Sequence, residues 1–271
     1  MSAPYARVLA HAITAAATPV ERDKTLARAV ELLDDAGRLT VSTRRGPLTF
    51  TTRRSVGAYK MARAWDDEPE TLQWVDDHVK PGDVVWDIGA AIGVMAMYMA
   101  LDPTVRVVAF EPKAASYALL VDHLAMNGMG DRVAAYCLAL ADGRRLSSFR
   151  IDTTQAGGAS NGLDDTPNQF GAGRSALVQS ALTISIDEFQ TLYGAPAPDH
   201  LKLDVDGIEG VILRGAATTL PRVKTVMVEV EGDNLKHVAE RIETPLFAAG
   251  FTEDMSVRGA GSDRNRLYVR A

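Results

Sequence analysis

The chain has 271 residues, 46% hydrophobic and 24% charged, with 29 Lys and Arg against 35 Asp and Glu. This composition excludes disordered, low-complexity and collagen-like classes. The net charge of −6 argues against nucleic acid or an anionic membrane as partner. The single cysteine, Cys137, rules out an internal disulfide, suits a reducing cytoplasm, and reads from its flanks as a buried strand thiol. The longest nearly apolar run, residues 90–101, is too short to span a bilayer, which takes about 20 residues. The alanine-rich start carries His11, Glu21, Arg22 and Asp23 and lacks the uninterrupted apolar core of a secretory signal.

In chain order, residues 5–17 and 19–37 read as helices. The second opens on Thr18-Pro19-Val20-Glu21, with a capping hydroxyl, a proline in the first turn and a glutamate three residues after the cap, and stops at Gly37. Residues 39–52 alternate as a β-hairpin turning at Arg44-Arg45-Gly46-Pro47. Residues 69–79 form a helix closed by Pro81-Gly82. From residue 84 strands and helices alternate: strand 84–88, helix 94–101, strand 105–110, helix 114–126, strand 133–140, strand 201–205, helix 208–216, strand 223–230, and helix 235–249 interrupted at Pro245. Strands 251–256 and 266–270, joined by a glycine-rich turn, close the chain as an antiparallel hairpin. Apolar strands alternating with helices predict an α/β fold with a mostly parallel, doubly wound sheet covered on both faces. Residues 152–175 have no period and hold five glycines. An irregular insert of that length reads as a mobile lid or a loose tip.

The central motif is Val84-Val85-Trp86-Asp87-Ile88-Gly89-Ala90-Ala91-Ile92-Gly93, a strand entering a Gly/Ala turn that opens a helix. Small residues here let backbone approach a ligand, and open α/β sheets bind ligands at the carboxyl ends of their strands. A tight turn with no ligand is the bland alternative. A dinucleotide fingerprint needs G-x-G-x-x-G, whereas Ala91 and Val94 replace two of its glycines. The Asp87 carboxylate would repel a pyrophosphate but favour an ammonium. S-adenosylmethionine (SAM) carries an amino-acid tail and a sulfonium and no phosphate, so the motif favours SAM over NAD. Glu111, 24 residues after Asp87 at the end of the next strand, is placed to accept from both ribose hydroxyls. Asp142, after the third strand, is placed for the adenine amine, or is a solvent-facing turn residue. The predicted cofactor set is Asp87, Gly89, Ala90, Ala91, Gly93, Glu111, Pro112 and Asp142.

These residues resemble the FkbM-type SAM-dependent methyltransferases. The likeness runs from about residue 40 to the end. It rests on Glu68-Pro69-Glu70-Thr71 with Trp74, on the 87–93 turn, on Ala109-Phe110-Glu111-Pro112, on Lys202-Leu203-Asp204-Val205-Asp206-Gly207-Ile208-Glu209 followed by Gly215-Ala216, and on Val226-Met227-Val228-Glu229, in the family's order. The resemblance implies a seven-stranded Rossmann-like fold of the class I methyltransferases, SAM as donor, and usually a hydroxyl acceptor. Ala91 stands where the family often has Asn, Ser116 and His123 replace common asparagines while Asn127 is kept, and Asp206 replaces a frequent Glu. Residues 1–38 lie outside the resemblance and are the candidate cap or homodimer element. The expected division is an extension over 1–60 and a methyltransferase domain over 61–271.

Methyl transfer from a sulfonium is an in-line displacement, so the protein's tasks are alignment, water exclusion and, for a hydroxyl, a base. The candidates are Asp204 with Lys202 and Asp206, which alternation puts on one face while the strand lasts. A purely internal Lys–Asp pair is the structural alternative. Asp204, Asp206 and Glu209 would together suit a hard cation, but no metal site is assigned. His200, just before the fourth strand, is read as a surface turn residue, with catalytic base as the alternative. Glu229 and Glu231 are placed to border the acceptor. The expected activity is O-methylation of a small molecule such as a sugar, glycan or polyketide. N-methylation is the nearest alternative and an NAD-dependent oxidoreductase the more distant one.

Overall fold

A computed structural model describes residues 37–51, 56–151, 153–157, 162–163, 177–230, 239–259, 261 and 264–270, with isolated positions at 11, 18, 23–25, 28, 29 and 32. Apart from helical positions at 11, 23–25, 28, 29 and 32, the helices expected over 5–17 and 19–37, the dimer element they would form, and most of the 152–175 insert fall outside the described residues.

The first described unit is the hairpin β1 (Arg38–Thr43) and β2 (Gly46–Thr51), paired antiparallel around Arg44 and Arg45. Helices α1 (Val56–Arg63) and α2 (Pro69–His78) follow, the second with proline in its first turn as expected. The alternating region supplies β3 (Val84–Ile88), α3 (Val94–Met99), β4 (Arg106–Phe110), α4 (Ala114–Met126) and β5 (Val133–Tyr136). Next come β6 (Ala139–Leu140), β7 (Arg145–Ile151), β8 (Gly162–Leu163), β9 (Leu177–Ile184) and α5 (Ile186–Tyr193). The chain then runs through β10 (His200–Leu203), α6 (Glu209–Arg214), β11 (Thr225–Glu229), a π turn at Ala239–Glu243, α7 (Thr244–Ala248), β12 (Phe251–Asp254) and β13 (Asn265–Arg270).

Seven strands form one sheet in the order β12-β13-β11-β10-β3-β4-β5. Every neighbouring pair from β11 to β5 is parallel, and β13 runs against both its neighbours. The expected doubly wound sheet and closing hairpin are both present. Chain order runs outward from β3 in one direction and from β10 in the other, so a topological switch point lies between them, where such sheets open a crevice. Strand alternation divides the apolar side chains between two cores. Trp86, Ile88, Phe110, Leu203 and Val228 face α5, α6 and the β7–β9 hairpin. Val85, Val107, Ala109 and Met227 face α2, α3, α4 and the β1–β2 hairpin.

Three expectations are corrected. The strand expected over 133–140 is two short strands in different sheets: β5 ends the large sheet, while β6 pairs with β9. Cys137 lies in the bend between them and is exposed rather than buried. His200 is not a surface turn residue. It is the first residue of β10, almost fully buried, with its ring nitrogens 2.7 Å from Thr225 Oγ1 and 3.0 Å from Asp83 Oδ2.

The retained Asn127 has a clear task. Its side chain donates to Thr49 O (2.7 Å) and accepts from Thr49 N–H (2.9 Å), as a neighbouring strand would. It thereby fastens β2 to the end of α4. Among the described residues no helix is long and apolar enough to cross a membrane.

Candidate active site

At the switch point the backbone does the first part of the work. After β3 the chain turns at Gly89 (φ +86°) and Ala91 (φ +48°) and enters α3 at Gly93 (φ +90°). Gly89 and Ala90 N–H both donate to Phe110 O at 3.0 Å, which ties the turn to the end of β4. Packing alone already demands glycine at two of these positions. A Cβ on Gly89 would sit 1.8 Å from Asp204 O, and one on Gly93 would sit 2.4 Å from Leu120 Cδ1.

Asp87 and Lys202 are register neighbours across β3 and β10, so both side chains point to the same face. Both are nearly fully buried, and Lys202 Nζ stands 3.9 Å from Asp87 Oδ1. Neither oxygen of Asp87 has a hydrogen-bond partner. Burial pushes the Asp87 carboxyl up to about 6, against the pull of the Lys202 ammonium. Lys202 donates to Asp204 Oδ2 at 2.8 Å. Burial pulls the Lys202 ammonium down, but Asp204 and Asp87 outweigh it and hold it above the usual lysine value. Burial likewise disfavours a charged Asp204, yet Lys202, Glu229 and Arg264 hold its carboxyl below the usual range. About a third of the Asp204 side chain is exposed.

Glu111 follows β4 directly. Its two oxygens accept from Ala91 N–H (2.8 Å) and Lys113 N–H (2.7 Å). Burial drives this carboxyl up to about 7 despite those two donors.

The cleft above these residues has two lobes. The larger, about 930 Å³ including its open mouth, is lined by Glu111, Pro112, Leu138, Leu140, Asp204 and Asp206 among others. The smaller, about 510 Å³, is lined by Asp87, Lys202, Glu68, Trp65 and Met95. Met61, Gly89, Ala91 and Asp204 border both lobes.

Most of the predicted site residues therefore come together, and three do not behave as expected. Asp206 shares the cleft with Asp204 but does not continue the alternation from Lys202, because β10 ends at Leu203 and Asp206 takes φ +61° in the loop beyond. Asp142 lines neither lobe. Its carboxylate meets Arg145 at 2.8 Å and Arg214 at 3.7 Å on the surface, the solvent-facing turn weighed as its alternative. Glu209 turns into its own loop and accepts from Gly207 N–H at 3.1 Å. Among the described residues no group of three or more His, Cys, Asp or Glu is disposed to hold a metal ion. His200 sits at the opposite end of β10 from the cleft, so it is not placed to act as a base. Glu231 lies outside the described residues.

Sequence reasoning missed α1 and the side chains that roof the cleft. The spacing Ala58, Met61, Ala62, Trp65 is the helical signal that would have found them. Phe149 and Leu163, from β7 and β8, reach the larger lobe, and only the hairpin pairing brings them there.

A parallel sheet with this strand order, an acid-flanked turn at the switch point and an acid after the next strand define a nucleotide-cofactor enzyme of the Rossmann-like class. The profile described as "Methyltransferase FkbM domain" matches residues 87–252, and the chain belongs to that family. It is a SAM-dependent methyltransferase, which sets aside the oxidoreductase alternative. It is 28% identical over 187 residues to the hexuronic acid methyltransferase AglP of Haloferax volcanii, covering 69% of this chain and 72% of that protein. It is also 28% identical over 215 residues to the 31-O-demethyl-FK506 methyltransferase FkbM of Streptomyces tacrolimicus, covering 66% and 82%. Among solved structures it is similar to the magnesium protoporphyrin IX methyltransferase of Synechocystis PCC 6803 with bound SAM, at 12% identity and a TM-score of 0.45 over 80% of this chain and 85% of that one.

Proposed function

We propose that the chain O-methylates a hydroxyl group of a small molecule of sugar, glycan or polyketide type, with Asp204 as the group that receives the hydroxyl proton. The carrying observation is Asp204 itself. It borders both lobes of the cleft, stays ionised beside Lys202 at 2.8 Å, and keeps part of its side chain exposed to the cleft. Lys202 orients it and holds its charge. The names of the two relatives, one acting on a hexuronic acid and the other at a 31-O position, support an oxygen acceptor on a small molecule.

The cofactor fits the residues present on two grounds. The buried Asp87 carboxylate lacks any hydrogen-bond partner, which suits an ammonium. Glu111, at the larger lobe, offers a carboxylate for ribose hydroxyls, while the 89–93 turn supplies backbone. Bound there, SAM would supply an electrophilic methyl group to the acceptor oxygen, the new C–O bond forming as the C–S bond breaks with its electron pair left on sulfur. The hydroxyl proton passes to an Asp204 oxygen. Trp65 and Met61 add apolar surface to the smaller lobe.

The test pairs two measurements on each of two variants. Glu111→Ala should weaken SAM binding by calorimetry by roughly 10–100-fold, the span for charged hydrogen bonds. Asp204→Asn should leave SAM affinity nearly unchanged but cut labelled methyl transfer to a hydroxyl acceptor by roughly 10²–10⁴. An Asp204→Asn protein that transfers methyl groups at the wild-type rate removes Asp204 from the chemistry.

A further inference from the structure

The cross-strand pair Asp87 and Lys202 holds more unmet polar capacity than a proton-accepting site requires. Both side chains are nearly fully buried and stand in register on one face of the sheet. An ammonium carries three N–H donors, and Lys202 spends one on Asp204 Oδ2. Asp87 Oδ1, at 3.9 Å, is beyond hydrogen-bond distance. Both Asp87 oxygens lack a partner. Buried charged groups left unsatisfied are costly and rare, so this pair is incomplete without something between or above it. Both residues line the smaller lobe.

What would complete it must offer an acceptor to Lys202 and a donor to Asp87 from adjacent atoms. A lone cation would answer Asp87 and leave the free lysine donors unmet. A lone anion would do the reverse. An α-amino acid head carries its ammonium and carboxylate on one carbon and answers both.

We propose that Asp87 and Lys202 together form a zwitterion clamp for the amino-acid end of SAM, with Lys202 binding the carboxylate. Lys202 thus serves two masters: it holds Asp204 with one donor and selects the cofactor with the others. This rests on the reading that SAM lies in this cleft, with its amino-acid end in the smaller lobe.

The experiment is a thermodynamic cycle by calorimetry on the full chain. Three probes are used: SAM, its decarboxylated analogue, and 5′-methylthioadenosine, which lacks the amino-acid end. On the wild type, loss of the carboxylate should weaken binding by about 10–100-fold. On Lys202→Met, SAM and the decarboxylated analogue should bind within about threefold of each other, while 5′-methylthioadenosine binds as to the wild type. Lys202→Arg should restore part of the preference for SAM. A decarboxylated analogue that binds the wild type as tightly as SAM overturns the proposal without any variant, so a misfolded Lys202→Met does not shield it. Equal weakening of SAM and the decarboxylated analogue in Lys202→Met also overturns it, because Lys202 would then act only through Asp204. A wild-type chain that binds none of the three probes refutes the cofactor-site reading beneath it.

Discussion

Gly89→Ala tests whether the cofactor turn and the end of β10 are one mechanical unit. Two effects add. The backbone sits at φ +86°, a left-handed conformation that costs an L side chain roughly 1–2 kcal/mol. The new methyl carbon would lie 1.8 Å from Asp204 O and 2.8 Å from Asp204 C. Those are main-chain atoms of a strand end, so relief requires moving backbone. Overpacking of that kind costs roughly 1–3 kcal/mol more. The sum, about 3.5 kcal/mol at mid-range, corresponds to roughly 7–14 °C in melting temperature for a chain of this size. Gly93→Ala shares the left-handed penalty (φ +90°) but meets only the flexible end of Leu120, so it should lose about half as much. Gly143→Ala, which has open space and no positive φ, is the neutral control. Scanning calorimetry gives the order. Because the displaced atoms belong to Asp204, the folded Gly89→Ala protein should also lose methyl transfer more severely than Gly93→Ala. A Gly89→Ala protein melting within about 2 °C of Gly143→Ala would refute the packing argument.

Three further outcomes follow from the same geometry. Asp87, Glu111 and Glu209 stand at about 6, 7 and 7 in the folded chain, each mainly because of burial. The folded state therefore holds protons that the unfolded state releases between about pH 4 and 7, and stability should rise as pH falls from 7.5 to 5.5. His200, whose pKa is lowered mainly by burial, opposes this below its unfolded value but is one group against three, so a ligand-free melting temperature that falls over that range contradicts the assignment. Thr225→Val removes the acceptor for Trp74 Nε1 (2.8 Å) and the partner of His200 Nδ1 (2.7 Å). It should cost roughly 2–4 kcal/mol by leaving buried groups unpaired yet leave SAM affinity unchanged by calorimetry, since the network sits at the far end of the sheet. Ala91→Gly relieves an alanine held at φ +48° and should raise the melting temperature by a degree or more, after about 0.5–1 kcal/mol of glycine chain entropy is set against roughly 1–2 kcal/mol of strain. A drop would mean that the Ala91 side chain makes a contact worth more than the strain.

The sheet was legible because its strands declare themselves. Val84–Ile88 and Thr225–Glu229 are buried along nearly their whole length, so they read as apolar runs bounded by turn residues whatever their neighbours do. The β7–β9 hairpin was not read. β7 buries only Ser147, Phe149 and Ile151, and a serine breaks the apolar alternation. Helix α5 was missed although Ser185 and Glu188 form a full capping box, a pattern written plainly in Ser185-Ile186-Asp187-Glu188. The break of 133–140 into two strands could not be seen locally, because Leu138 to Leu140 are as apolar as what precedes them. Only the pairing of Ala139 with Thr183, 44 positions on, separates them.

The site divides along the same line between local and distant information. Asp87, Glu111 and Asp204 each lie at or just past the carboxyl end of a strand of the large sheet, so the sequence motif and the spatial position are the same fact, and parallel register carries them to one rim. Asp142 broke the rule because it follows β6, which belongs to the second sheet and delivers its carboxylate to two arginines. His200 broke it in the other direction. A polar residue before an apolar run reads as a loop, and nothing within ten residues announces that Thr225 and Asp83 will satisfy both of its nitrogens inside the core. Lys202 is the sharpest case. Alternation correctly put it on one face with Asp204, and so invited a catalytic reading. Its register with Asp87 on a strand 115 positions earlier is what adds a second opposite charge beside it in the smaller lobe. The residue types forecast charge at the site, and the order of strands at the switch point determines which charges meet.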